Sequence, residues 1–246
     1  MRGTTEGIGC FPTGRHYPGI AHLLRIVVAG LAEEFAGDTS LGAMRLVCID
    51  TETTGRDPEV DNIVEIGCVI WQAGEVVERK SWLVNPGRPI PKEASDVHGI
   101  KDEDVKDAPL FGAMVHEVLE LAAGCVPVAY NAEYDRKMLA AEIARANVAP
   151  LKTPPCLRRG VEWIDPLVWA RELQKSERSR SLSEVCERLG IALEGAHRAV
   201  NDAEATLRVL HAFTRDPRVP QTYAGFMQEQ RRLFRLFEAD RPMWRR

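Results

Sequence analysis

The chain has 246 residues, 45% of them hydrophobic and 28% charged, which is long enough to bury a core and too apolar for wholesale disorder. Its net charge of −4 excludes a uniformly basic nucleic-acid binder and leaves any polyanionic ligand to local basic groups or bound cations. The six cysteines are scattered without a CxxC pair, which argues against a structural zinc site and for a reducing compartment.

Residues 1–43 differ in character from the rest of the chain. The stretch 1–19 is rich in Gly, Pro and Thr, and the apolar run at 20–35 predicts one helix. Arg25, Glu33 and Glu34 interrupt that run, so it is too short and too broken to span a membrane, and no signal-peptide cleavage pattern accompanies it. The expectation is an extension over 1–43, a folded domain over 44–214 starting at Met44, and a basic amphipathic tail over 215–246.

The domain opens on Leu46-Val47-Cys48-Ile49, a run of strand formers that breaks into Asp50-Thr51-Glu52-Thr53-Thr54-Gly55. Strand-like runs at 62–71 and 75–84 flank Ala73-Gly74, a hairpin turn, so the first three strands form an antiparallel meander. Asn85-Pro86-Gly87, Pro89 and Pro91 then open a loop holding Val97-His98-Gly99-Ile100. Helical spacing over 111–123 leads to a strand at 125–130 and a helix over 132–146, with a Pro-rich loop at 150–160. Further helices fit 163–173, 182–189, 198–214 and 223–237, the last carrying Arg231, Arg232 and Arg235 beside Leu233, Phe234, Leu236 and Phe237. Asp165 reads as an N-cap, with Pro166 at the first helical position.

Side chains alternate along a strand, so Asp50 and Glu52 project to one side, roughly 6–7 Å apart along the backbone. Two carboxylates so placed call for a proton, a cation or open water. A hard divalent metal is one answer, and a solvated strand-to-loop turn is another. Asp135 falls in the first turn of its helix, where the helix dipole favours an acid with or without a function. In Gly195-Ala196-His197-Arg198-Ala199-Val200-Asn201-Asp202, five residues of separation keep His197 and Asp202 off a common helical face, so His197 belongs to the lead-in and Asp202 to the helix. Cys48 and Cys68 lie within apolar strands and read as core residues.

Taken together, Asp50-Thr51-Glu52-Thr53-Thr54-Gly55, then Asn131-x-x-x-Asp135, then His197-x-Ala199-x-x-Asp202 resemble the DEDDh branch of the DnaQ-like 3′–5′ exonucleases, over about residues 44–214. Val97-His98-Gly99-Ile100 is similar to the loop that this family places near the substrate's 3′ end, and Glu65 also matches a family position but is read as structural. The resemblance implies an α/β, ribonuclease H-like fold, with a mixed central sheet of the β1–β3 meander plus parallel strands flanked by helices. It implies a site holding two Mg²⁺ (or Mn²⁺) ions on Asp50, Glu52, Asp135 and Asp202, with His197 as general base. For substrate binding, the backbone around Thr51 and Thr53 and the loop of His98 would contact the terminal nucleotide, and Asn131 would brace the second motif. The function so implied is removal of nucleoside 5′-monophosphates from a single-stranded 3′ end of DNA or RNA in a cytoplasmic, membrane-free setting, with a DNA polymerase subunit as a partner. The rivals are an exoribonuclease of RNA or short oligonucleotides and a non-catalytic nucleic-acid or polymerase-binding module; the oligomeric state is open.

Overall fold

A computed structural model describes residues 29–193 and 195–240. Strand β1 (Leu46–Thr53) runs through the middle of a four-stranded sheet of order β3-β2-β1-β4, with β2 at Ile63–Gln72, β3 at Glu75–Leu83 and β4 at Val126–Val128. β1 pairs antiparallel with β2 and parallel with β4, and β2 pairs antiparallel with β3. This is the mixed sheet expected of a ribonuclease H-like fold. The hairpin turn sits at Ala73 and Gly74, both at positive φ as a tight two-residue turn requires. Being interior explains why β1 is apolar on both faces until Asp50, and why Cys48 and Cys68 are fully buried there.

Helices flank the sheet: α1 (Lys92–His98), α2 (Asp102–Val105), α3 (Phe111–Ala122), α4 (Ala132–Arg145), α5 (Pro166–Leu173), α6 (Leu182–Leu189), α7 (Ala199–Phe213) and α8 (Tyr223–Asp240). Helix α7 lies against β1 and β2. It can come that close because of Gly67: a Cβ there would overlap the backbone of Ala199 and Val200.

Three expectations need correction. The stretch before His98 is helical rather than loop, because Pro91 starts α1 and Gly99, at φ 74, ends it in the left-handed region. The helix expected over 163–173 begins only at Pro166, since a residue preceding proline avoids the helical region, and Ile164 instead bridges β4 at Val128. Of the helix expected at 20–35, residues 20–28 lie outside the described residues and 29–35 are irregular, with turns at 29–30 and 33–34 and Gly30 at φ 81.

Residues 29–43 lie against the C-terminal helix. Leu31, Ala32 and Leu41 enter the core, Ala32 N donates to the buried Tyr223 hydroxyl at 2.9 Å, and Ser40 bridges Thr222. Tyr223, Phe226, Met227 and Leu233 of α8 are buried, and the Phe226 ring lies 4.8 Å from that of Trp169 on α5. A chain starting at Met44 would uncover this apolar surface, so we expect a melting temperature lower by roughly 5–10 °C than that of a chain starting at residue 29, measured by calorimetry.

Candidate active site

Of β1, only Leu46–Cys48 pair with β4, so the far end of β1 runs past its parallel neighbour. The first turn of α4 meets it there. The amide of Thr51 donates to Asp135 Oδ1 at 2.9 Å and the Thr51 hydroxyl donates to the same oxygen at 2.7 Å. A strand donor left without a neighbouring strand thus fixes a buried helix-borne carboxylate. The pairing of β1 with β2 shifts register between Glu52 and Thr53, an irregularity that re-aims side chains at the strand end.

The third element closes the site. His197 and Gly195 both have positive φ, 64° and 62°, and the His197 amide donates to Asp202 Oδ2 at 3.0 Å across the start of α7. Ligand atoms of Glu52, His197 and Asp202 lie within 4.8 Å of one another. Asp50 belongs to the same cluster electrostatically: burial raises its pKa well above the ordinary value, and the charges of Asp135, Asp202, Glu52 and Glu65 add to the rise. Burial also pushes Glu52 up to about 8, with Asp202, Glu65 and Asp135 contributing and Arg198 opposing. Asp135 is pushed up to about 7 by burial against the lowering effect of its Thr51 hydrogen bonds. Asp202 is raised by burial and lowered by the backbone amide and charge of His197. Glu52, His197 and Asp202 therefore meet at one point, and Asp50 and Asp135 lie near enough to the acids among them for the charges to be felt.

The arrangement fits divalent cations. The acids of the cluster offer carboxylate oxygens, the ligands that hard ions take, and Asp202 Oδ1 is buried without a hydrogen-bond partner. Acids that repel one another this strongly are stabilised as anions by positive charge between them.

Thr51, Thr53, His98 and Asn131 all line one cleft of about 660 Å³ that begins at Glu52 and also takes in Tyr134. His98 Nδ1 accepts from the Ile100 amide at 3.1 Å, which leaves the ring proton on Nε2, and burial lowers the pKa of this histidine. The Thr53 hydroxyl donates to Gly55 O at 2.6 Å and shares a 2.5 Å hydrogen bond with the Tyr134 hydroxyl. Tyr134 is thereby held as a wall of the cleft, while the Tyr130 hydroxyl donates to Arg180 O at 2.6 Å.

Asn131, at φ 65, does not cap α4 with its side chain. Asp165 takes that place: its carboxylate accepts from Asn131 N at 3.0 Å, Ala132 N at 3.1 Å and Leu167 N at 2.9 Å, so one acid serves the starts of α4 and α5 together. Pro166 announced only the second of these helices. Replacing Asp165 with alanine strands amides at about 1–3 kcal/mol each. We expect a melting temperature lower by roughly 10 °C, partly recovered in Asp165→Asn, by thermal denaturation.

Sequence reasoning set Glu65 aside. It is fully buried, paired in register with Glu52, and held by Arg198 and Ser81. A charge inside an apolar strand, Val64-Glu65-Ile66, was itself the available signal, because a buried charge demands a partner.

Comparison with known proteins gives concordant findings. The model of the exonuclease family RNase T matches residues 47–210. DNA polymerase III PolC-type of Thermotoga maritima is 33% identical over 199 residues, 79% of this chain and 14% of that protein. The PolC-type polymerase of Streptococcus thermophilus is 31% identical over 170 residues, 69% of this chain and 11% of its own. The chain thus spans a small fraction of the length of these relatives. Among solved structures, Exonuclease X in complex with 5′ overhanging duplex DNA superposes with a TM-score of 0.55 at 26% identity, covering 74% of this chain and 99% of that one. The nuclease domain of 3′hExo, a DEDDh family member bound to rAMP, reaches 0.60 at 19% identity over 73% and 96%, a likeness of fold.

Proposed function

From the premise that this chain belongs to the RNase T family of exonucleases, we propose that it removes nucleotides from the 3′ end of DNA as 5′-monophosphates. The observation that carries this reading is the meeting of Glu52, Asp202 and His197 at one point, with a buried Asp202 oxygen lacking a partner, next to Asp50 and Asp135. Asp50, Glu52, Asp135 and Asp202 would hold two Mg²⁺ or Mn²⁺ ions. When bound, such ions lower the pKa of water and neutralise the charge that develops on the attacking and leaving oxygens.

The remaining chemistry belongs to the chain. A water oxygen forms a bond to the terminal phosphorus as the bond from phosphorus to the 3′ oxygen breaks, and the water's proton passes to an imidazole nitrogen of His197. The departing 3′ oxygen takes up a proton. Thr51 keeps Asp135 from turning away, through two hydrogen bonds to one oxygen. The cleft from Thr53 to His98 receives the terminal nucleotide, with Tyr134 as a wall.

The polymerase names of the sequence relatives favour a DNA end and work beside a polymerase. Product analysis on end-labelled single-stranded DNA, mismatched duplex DNA and RNA tests the proposal, with Asp50→Ala as control. Monophosphates released stepwise from the 3′ end of DNA are expected. Preferential release from RNA would replace the substrate, and DNA held but not consumed in Mg²⁺ or Mn²⁺ would make the protein a binding module.

A further inference from the structure

His197 stands on an exposed lead-in whose backbone occupies the left-handed region twice within three residues, a conformation unfavourable for a non-glycine residue that has to be imposed from outside. What imposes it lies one residue further on. The Arg198 guanidinium grips Glu65 with a fork, Nη2 donating to Oε1 at 3.0 Å and Nε to Oε2 at 3.2 Å. Glu65 Oε2 also accepts from Ala199 N at 3.4 Å, at the first residue of α7, and Ser81 donates to Oε1 at 2.7 Å. Two residues along β2, on the same face, Gly67 clears the space in which the backbone of Ala199 and Val200 lies. Glu65 and Gly67 together make a socket for the start of α7, and Arg198 is the side chain that locks into it.

We propose that the Arg198–Glu65 pair is a positioning device, which sets the backbone of His197 against Asp202 and holds the imidazole over the acids. The carboxylate end of the pair is fully buried and its arginine end half-exposed. Such a pair locks geometry more than it adds stability, because desolvation of the buried carboxylate offsets much of the attraction. The position of Arg198 suits this task. It caps α7 with extended backbone, φ −122°, so its side chain turns down onto the sheet while His197 faces out. Lysine, a point charge without the fork, would keep the attraction and lose the two-point orientation.

The inference rests on the proposed role of His197 as proton acceptor, and the test separates the two. Arg198→Met, Arg198→Lys and Glu65→Gln/Arg198→Met are compared with the unaltered full chain and with His197→Ala. Readouts are kcat and KM on a single-stranded oligonucleotide with Mn²⁺, melting temperature, and backbone amide exchange at residues 195–199 in ion-free protein. Arg198→Met is expected to lower kcat by roughly 10–100-fold, as a misplacement of about 1 Å does, with KM within about twofold and faster exchange at 195–199. Arg198→Lys should recover part of kcat. The double variant, which no longer strands a buried charge, should recover melting temperature without recovering kcat.

A kcat that returns with the melting temperature in the double variant would reduce the pair to a structural contact. An effect confined to KM would make Arg198 a phosphate contact, and unchanged exchange with unchanged kcat would also overturn the proposal. Full activity in His197→Ala removes the histidine from the mechanism, and the exchange measurement then decides the positioning role by itself.

Discussion

Replacing His197 with alanine is expected to lower kcat by roughly 10²–10⁴-fold, the range that a positioned general base contributes, while leaving the protein's response to divalent ions intact. The imidazole lies within 4.8 Å of ligand atoms of Glu52 and Asp202, which by distance alone also suits a metal ligand. The two roles differ in what else is lost. A ligand takes ion affinity with it when deleted, whereas a proton acceptor takes only the chemical step. His197 is exposed and reaches Asp202 through its backbone amide rather than its ring, which leaves the ring able to turn toward a water. Steady-state kinetics together with the Mn²⁺-induced rise in melting temperature decide between the roles. A His197→Ala protein whose melting temperature no longer responds to Mn²⁺ would make the histidine a ligand.

In ion-free buffer the protein is expected to lose thermal stability as pH rises from about 5 to about 8, and to regain it on addition of Mn²⁺. The sign comes from the direction of the shifts. Burial raises Asp50 and Asp202 and carries Asp135 to about 7 and Glu52 to about 8, with repulsion from the neighbouring site acids adding to the rise of Asp50 and Glu52. Between their unfolded values and these raised ones, the folded state binds more protons than the unfolded chain, so the free energy of unfolding falls with increasing pH. This is the reverse of the usual salt-bridged carboxylate. A loss of about 2–3 kcal/mol corresponds to roughly 5–10 °C in a protein of this size. Bound cations take over from the protons, so the Mn²⁺-induced rise should be larger at pH 8 than at pH 5. Asp50→Asn removes one repelling charge: ion-free stability at pH 8 should increase, and most of the Mn²⁺ response should vanish. Calorimetry across pH measures both, and a melting temperature that climbs with pH in ion-free protein would show that the acids are not in mutual conflict.

The elements most legible in the sequence were those whose side chains face a single environment along their whole length. β1 and β2 read as apolar runs because the sheet is covered there, β3 follows from the Ala73-Gly74 turn, and that turn reflects the positive φ it needs. Leu182–Leu189 was legible to the residue, bounded by the Ser181 hydroxyl that accepts from Glu184 N and by left-handed Gly190. Less legible were elements whose limits come from elsewhere in the chain. Lys92–His98 is polar and short, with only His98 buried, so it carries no apolar period to detect. Trp163 and Ile164 look like the start of a helix until β4 offers a bridge to Ile164.

By itself the sequence singled out the side chains proposed to carry the chemistry. Asp50, Glu52, Asp135, His197 and Asp202 stand in a recognisable order because residue type and local spacing are properties of the chain. It also determined the antiparallel meander, since strand formers and turn residues act over a few positions, and the family resemblance implied the parallel strand beside it. Only the tertiary structure decided how those side chains are held: Asp135 by Thr51 across 84 residues, the start of α4 by Asp165 across 34, and the His197 lead-in by Glu65 through Arg198 across 133. A buried polar group must find its partner wherever folding places one, and no local pattern encodes that distance.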